Sequence, residues 1–195
     1  GRCRQMAAWF VTGGWDSSVT KWDLQAEAAE VLGKDWYAGS NLCFDKRERL
    51  AVVRQDNSLA VFDHHLGKRA LQFEPDDARI KLLQFDGEGT CLSALSEDGT
   101  VFHLSSDGTK ATGARIPREW TCAHFSRNGR FLYFGDKRGS FHVFDTIAAE
   151  EILKIKAHEH RINAIAASVR GGLIATGDVS TLKVWNAYDG SLLFS

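Results

Sequence analysis

Two pairs of histidines are the first residues in this chain that could do chemistry. His64 and His65 directly follow Asp63, and His158 and His160 lie two positions apart in the segment AHEHR. Imidazole and carboxylate groups close together are the ligands of many zinc sites and the acid–base pairs of many enzymes. The first pair, however, directly follows a strand-like run, where a turn accounts for it without a metal. We therefore expect no metal ion at His64 and His65.

Other motifs of catalysis and cofactor binding are absent from the sequence. It holds no nucleophile elbow, and the segment GDKRGS at 135–140 lacks both the spacing of a phosphate loop and a following helix. The cysteines Cys3, Cys43, Cys91 and Cys122 are scattered and include no close pair that would suggest zinc binding or redox chemistry. We expect a protein that is not an enzyme and that has no cofactor and no metal.

Whole-chain composition narrows the class further. The 195 residues are 44% hydrophobic and 25% charged, which is ordinary for a soluble globular protein, and the formal net charge is −1. A basic footprint is missing, which disfavours direct binding to nucleic acid, and no apolar run is long enough to span a membrane. The scattered cysteines favour reduced thiols, so we expect an intracellular protein, in the cytoplasm rather than the nucleus.

A repeat provides the strands that must position these residues. Five segments alternate apolar and other residues and close on a bulky apolar residue, the anchor, followed by a short polar one. The anchors are Trp22, Phe62, Leu104, Phe144 and Trp185, and subtraction of their numbers gives spacings of 40, 42, 40 and 41 residues. Turn signals separate the short strand-like runs, which is typical of an all-β protein. A period of this length is expected when each repeat forms one four-stranded propeller blade.

An aspartate precedes each anchor in the turn between two strands. Asp16, Asp56 and Asp98 lie six residues before their anchors, whereas Asp136 and Asp178 lie eight and seven before theirs. A turn aspartate accepts backbone N–H bonds and tolerates unusual backbone angles. Each aspartate is either a turn former alone or part of a buried hydrogen-bond network that links turn, strand and anchor within one blade.

These features together resemble the WD-repeat β-propeller family over essentially the whole chain. The fifth copy carries most of the family pattern, with His158, Thr176, Asp178 and Trp185, and the first copy carries Thr12, Asp16 and Trp22. The resemblance implies a hydrogen-bond network among these residues and a non-catalytic scaffold or adaptor within a multiprotein complex. The other three copies have no histidine at the matching place and carry Phe or Leu as the anchor, so packing must hold those blades.

The fold expected from the repeat is all-β, a propeller of four-stranded antiparallel blades. The predicted blades cover approximately 1–23 (partial), 30–63, 68–105, 110–145 and 150–186, and 190–195 supplies the first strand of a further blade. Closing a ring of five would require more residues than the two ends provide. We expect an open arc cut from a longer, seven-bladed propeller; the alternative is that a partner chain or a second copy caps the two open ends.

Partner binding is expected on the loops at one end of the central channel, which is where the resemblance places it. The residues that point there are Trp15, Gln55, Glu97 and Lys137 in the turns, and Arg79, Glu119 and Arg161 at the starts of the inner strands. Trp15 is equally suited to packing between blades. The mixed charges suggest a protein or peptide partner with acidic and apolar groups. The alternative is an accessory propeller of a larger enzyme or nucleic-acid-processing factor whose active part lies outside this chain.

Overall fold

A computed structural model describes residues 9–13, 16, 18–33, 42–47, 49–63, 68–73, 79–105, 110–117, 119–168 and 172–195. All regular structure in them is β-strand, arranged in five antiparallel sheets, which confirms the all-β fold. Cys3, Trp15, His64 and His65 lie outside the described residues. Among the described residues, no helix is long and apolar enough to cross a membrane.

Consecutive strands pair within each sheet, as short turns between antiparallel neighbours require. The first sheet has β1 (Trp9–Gly13), β2 (Val19–Asp23) and β3 (Ala28–Gly33). The second has β4 (Leu42–Phe44), β5 (Arg49–Val53), β6 (Leu59–Asp63) and β7 (Lys68–Phe73). The third has β8 (Ile80–Phe85), β9 (Cys91–Ser96), β10 (Thr100–Ser105) and β11 (Lys110–Arg115).

The last two sheets repeat the same order. The fourth has β12 (Trp120–Phe125), β13 (Phe131–Asp136), β14 (Ser140–Asp145) and β15 (Glu150–Lys156). The fifth has β16 (Ala164–Ala167), β17 (Leu173–Gly177), β18 (Leu182–Asn186) and β19 (Leu192–Phe194). The first strands of the second to fifth sheets lie side by side, so β4, β8, β12 and β16 form the inner edge of the arc.

The predicted blade boundaries were wrong about the outer strands. They assigned each outer strand to the blade that follows it and assigned 190–195 to a further blade. In the structure β7 pairs with β6, and β19 pairs with β18 through Trp185 and Leu192. Each outer strand is therefore the fourth strand of the preceding sheet. The physical reason is that a short turn can only return the chain to the strand it has just left.

Four hydrophobic clusters hold the arc together, one in each seam between neighbouring sheets. Successive residues of a strand point to opposite faces, so one strand can serve two seams. In β5, Leu50 and Val52 pack towards the first sheet, whereas Ala51 and Val53 pack towards the third. Apolar residues at both alternating positions are therefore what a sheet packed on both sides requires.

The anchor residues do not all share one environment. Leu104, Phe144 and Trp185 are buried, and Phe62 is partly buried. Trp22 is 41% exposed and stacks on Phe10, which is 44% exposed, at a centroid distance of 6.1 Å. Trp22 is exposed because its ring lies on the face of the first sheet that no other described sheet covers.

Candidate functional site

The predicted partner-binding residues lie on one edge of the sheets, here called the loop end: the edge that carries the turns between second and third strands. Gln55, Glu97 and Lys137 lie in these turns, in the second, third and fourth sheets. Arg79, Glu119 and Arg161 come just before the strands β8, β12 and β16. All six side chains are exposed. Trp15, the seventh candidate, lies outside the described residues and remains a prediction.

Backbone pairing brings these candidates together in twos. In the third sheet the Glu97 N–H donates to the Arg79 carbonyl at 2.7 Å. In the fourth sheet Trp120 stands opposite Asp136, which places Glu119 beside Lys137. The third and fourth sheets therefore each carry one acidic and one basic candidate side by side at the loop end.

Hydrogen bonds across the seams fix the loop end of one sheet against the next. The Ile80 N–H donates to the side-chain oxygen of Asn57 at 3.0 Å, which joins the second sheet to the third. The Ile162 N–H donates to the Asp136 carbonyl at 3.2 Å, which joins the fourth to the fifth. The candidate side chains consequently project from a backbone that is held in place before any partner arrives.

The turn aspartates stabilise the loop end through backbone N–H groups. Asp16 and Asp56 accept the N–H of the serine two residues later, Ser18 at 3.1 Å and Ser58 at 2.9 Å. Asp98 accepts a hydrogen bond from the Thr100 N–H at 3.1 Å and forms an ion pair with Arg115 at 2.8 Å. These aspartates shape the turns that present the candidate residues.

Asp136 occupies a different place from the other turn aspartates, which explains its spacing. It ends β13, as Ser96 ends β9, and accepts the N–H groups of Arg138 at 2.9 Å and Ser140 at 2.8 Å. Gly139 follows with a φ of 81°, and a Cβ there would lie 2.2 Å from the His158 carbonyl oxygen. This close approach seats the turn on the segment that enters the fifth sheet.

A continuous chain of hydrogen bonds runs through the fifth sheet. The Trp185 Nε1–H donates to Thr176 Oγ1 at 2.8 Å, and Thr176 Oγ1 lies 2.8 Å from His158 Nε2. His158 Nδ1 lies 2.8 Å from Thr181 Oγ1, and Thr181 Oγ1 donates to Asp178 Oδ1 at 3.0 Å. An ionised Asp178 can only accept, so the Thr181 hydroxyl donates to it and accepts a hydrogen bond from His158 Nδ1–H. His158 Nε2 is then the acceptor for the Thr176 hydroxyl.

The protonation states agree with this direction. Burial lowers the pKa of His158, so the ring is neutral at pH 7. The backbone N–H groups of Ser180 and Thr181 hold the pKa of Asp178 well below its usual range. A neutral imidazole with one donor and one acceptor fits between the two threonine hydroxyls. Both ring nitrogens of His158 are therefore engaged by hydroxyl groups within the fifth sheet.

The first sheet repeats only part of this chain. The Trp22 Nε1–H donates to Thr12 Oγ1 at 2.8 Å, as Trp185 does to Thr176. Asp16 caps Ser18 in the turn and Thr12 is exposed. The same Trp–Thr bond is thus open to water in the first sheet and buried in the fifth.

Two further histidine clusters were not predicted from the sequence. His142 lies 2.6 Å from Glu151 and 3.3 Å from Asp136, and its ring stacks on Phe134. His103 lies 3.1 Å from Ser93 within its own sheet, and 3.0 Å from Thr146 of the fourth sheet. The early position of Asp136, two residues before the usual place, is the one sequence signal for the first cluster.

No described group of histidine, cysteine and acidic residues is arranged to hold a metal. Burial raises the pKa of Cys43 to about 12, and it also raises the pKa values of Cys91 and Cys122. The described thiols therefore remain protonated at neutral pH and act as small apolar side chains.

Comparison with known proteins agrees with this architecture. The family model described as "WD domain, G-beta repeat" matches residues 149–186. A guanine nucleotide-binding protein subunit beta from Nicotiana tabacum is 26% identical over 93% of this chain and 54% of its own length. One from Solanum tuberosum is 27% identical over 90% of this chain and 52% of its own. The chain thus spans about half the length of these relatives.

The fold itself is shared with a chain in the crystal structure of the mitotic checkpoint complex. That chain aligns with a TM-score of 0.78 at 16% identity, over 95% of this chain and 62% of its own length. Four-stranded antiparallel sheets arranged in sequence around an inner edge define a β-propeller. The matched repeat and the relatives make this chain similar to WD-repeat β-propellers.

Proposed function

We propose that this chain is a non-catalytic scaffold that binds a protein partner across the loop end, as one subunit of a larger assembly. The observation that carries the proposal is the row of exposed charged side chains, contributed by neighbouring sheets whose backbones are tied together there. The relatives support it, because they are named as subunits of guanine nucleotide-binding proteins. Partners of this chain need not be those of its relatives.

The absence of catalysis is part of the same proposal. His103, His142 and His158, the described histidines with the most polar surroundings, all have their ring nitrogens engaged by neighbouring side chains. A catalytic base needs a free nitrogen that a substrate can reach. We infer that these rings stabilise the sheets and that the chain acts by binding.

The charges at the loop end favour a partner that carries acidic groups among apolar ones. Lys81 pairs with Glu97 at 3.7 Å and Arg138 with Glu119 at 3.9 Å, both as exposed pairs of little energetic weight. A partner carboxylate can displace such pairs at small cost. Arg161 and Lys137 are the basic groups we assign to this contact, and Trp15 is the apolar contact predicted from the sequence.

We further propose that in the complete protein the two end sheets are covered by additional blades of a seven-bladed ring. The fifth sheet exposes Leu182 and Phe194, and the first exposes Phe10 and Trp22. Apolar surface of this kind calls for a covering layer. We also propose a cytoplasmic location, which the unpaired thiols of Cys43, Cys91 and Cys122 favour.

The test is affinity capture from cell lysate with the full-length protein, quantified by mass spectrometry. A Lys137→Ala/Arg161→Ala variant removes two basic groups at the loop end. A charge-matched control, Arg47→Ala/Lys154→Ala, removes two exposed basic groups elsewhere. We expect at least one partner to be retained by the control and lost by the loop-end variant. Equal capture by all three proteins would exclude the loop end as the binding surface.

A further inference from the structure

A groove lies at the end of the sheets opposite the loop end. It encloses about 590 Å³ and is lined by turns of three successive sheets. Asp86–Glu88 form the turn before β9, Arg127 lies in the turn before β13, and Tyr188 lies in the turn before β19. A depression lined by the turns of three successive sheets offers contacts to an extended peptide laid across them.

The walls of this groove are fixed. The Gly87 N–H donates to the Arg127 carbonyl at 2.7 Å, which joins the turns of the third and fourth sheets. The turn that carries Tyr188 is seated against the fourth sheet, since a Cβ on Gly190 would lie 2.3 Å from Ile155. A groove with such walls is formed before binding, so little ordering cost opposes a ligand.

The floor and one wall of the groove are apolar. Tyr133 is buried at its base, whereas Ile152 is 53% exposed and Tyr188 is 81% exposed. Large apolar side chains exposed within a concave surface are typical of binding sites, and tyrosine is among the residues most often dominant in them. Burial, together with the nearby Tyr188, raises the pKa of Tyr133, so its phenol remains a neutral hydrogen-bonding group.

The charges at the groove favour a basic ligand. The lining contains two carboxylates, Asp86 and Glu88, against one guanidinium, Arg127. Asp189 adds a carboxylate directly after Tyr188. Although burial acts in the opposite direction, hydrogen bonds from Thr90 lower the pKa of Asp86, which is therefore ionised at neutral pH.

We propose that this groove is a second docking site, independent of the loop end, for an extended segment of a partner protein. The segment places an apolar side chain between Tyr188 and Ile152 and a lysine or arginine against Asp86 and Glu88. Lys46 reaches Glu88 from the second sheet but does not line the groove, so Asp86 and the outer face of Glu88 receive the incoming cation.

The probe is a fluorescein-labelled decapeptide with a central Leu-Phe pair flanked on each side by two lysines, titrated against the full-length protein by fluorescence polarisation. Two comparison peptides carry glutamates in place of the lysines, or Ser-Ser in place of Leu-Phe. We expect the lysine peptide to bind at least about tenfold tighter than either comparison peptide. Its affinity should also fall as salt is raised.

Variants locate the binding in the groove. Tyr188→Ala should weaken the lysine peptide about 30-fold, which corresponds to a hot-spot loss of about 2 kcal/mol. Glu88→Gln should weaken the lysine peptide, which loses a carboxylate contact, and should not weaken the glutamate peptide, which carries no lysine. The matched control is Ile147→Ala, because Ile147 is 70% exposed in a turn at the same end and does not line the groove. Tyr188 is so exposed that its replacement leaves the fold intact.

Several results would overturn the proposal. Equal binding of the lysine and glutamate peptides would remove its charge argument. Equal losses in Tyr188→Ala and Ile147→Ala would place the contact elsewhere. Self-association in sedimentation that Tyr188→Ala abolishes would identify a second copy of the chain, not a partner segment, as the occupant of the groove.

Discussion

Removing the Thr176 hydroxyl tests the chain of hydrogen bonds in the fifth sheet most directly. Thr176 is fully buried, and its Oγ1 lies 2.8 Å from both Trp185 Nε1 and His158 Nε2. Thr176→Val keeps the shape of the side chain but leaves a buried donor and a buried acceptor without partners. Each such group costs about 1–3 kcal/mol. We expect the free energy of unfolding to fall by about 3 kcal/mol.

The first sheet supplies a matched control for this substitution. Thr12→Val breaks the corresponding 2.8 Å bond to Trp22, but there both side chains are exposed and water can replace the hydroxyl. We expect a loss below about 0.5 kcal/mol, as for most surface changes. The measurement is urea unfolding of the full-length protein at pH 7, with midpoint and slope compared across variants.

A double-mutant cycle with Trp185→Phe completes the test. If the indole N–H is bonded to Thr176, the second substitution removes the stranded donor, so the double variant should lose less stability than the two single losses added together. Strict additivity, or a loss for Thr176→Val no larger than that for Thr12→Val, would refute the proposed network.

Three further predictions concern other parts of the structure. Gly139→Ala should lower the free energy of unfolding by about 3 kcal/mol, because the added Cβ would lie 2.2 Å from the His158 carbonyl oxygen and the residue has a positive φ. Gly172→Ala is the control, since its Cβ would meet its nearest atom at 3.8 Å and should change the free energy little. Equal urea midpoints for the two variants would contradict this prediction. Burial lowers the pKa values of His103 and His158, so on acidification these histidines are protonated in the unfolded chain before they are protonated in the folded one. The free energy of unfolding should therefore fall as pH drops below about 6.5. Equal urea midpoints at pH 7.5 and pH 5.5 would contradict this prediction. Cys43, whose pKa burial raises to about 12, should resist iodoacetamide at pH 8 in the folded protein and react once it is unfolded, as followed by mass spectrometry.

The backbone plan of this protein is readable from its sequence because it depends on local features. Alternating apolar residues, glycine-rich turns and evenly spaced anchors determine strands and hairpins. The grouping of outer strands was misread because a repeat in sequence has no intrinsic start. Whether Lys68–Phe73 closes one sheet or opens the next depends on pairing, which the register with Leu59–Asp63 decides.

Side-chain environments were less predictable because they depend on neighbouring sheets. Trp22 and Trp185 have the same local sequence pattern, yet only the Trp185 ring is buried against a neighbouring sheet. In the sequence His142 is one residue of an alternating strand segment, whereas the structure places two carboxylates against it. One of them, Glu151, lies on the next strand, and no spacing rule in the sequence indicates that contact. The candidate residues at the loop end were placed by repeat register alone, and their role in binding stays a prediction.

The contacts between neighbouring sheets differ from one seam to the next, so the repeated units of this protein are not equivalent. Between the second and third sheets, the Asn57 side chain accepts a hydrogen bond from the Ile80 N–H. Between the third and fourth sheets, the Gln84 amide donates to the Phe125 carbonyl at 3.0 Å. Between the fourth and fifth sheets, the rings of Phe141 and Trp185 are in contact. Each of these three seams uses a different kind of contact. Duplicating, deleting or exchanging one repeat of this chain would therefore create mismatched faces, even though the backbones of the units are alike. We therefore expect that a repeat can be exchanged without loss of stability only when the adjoining faces are changed with it.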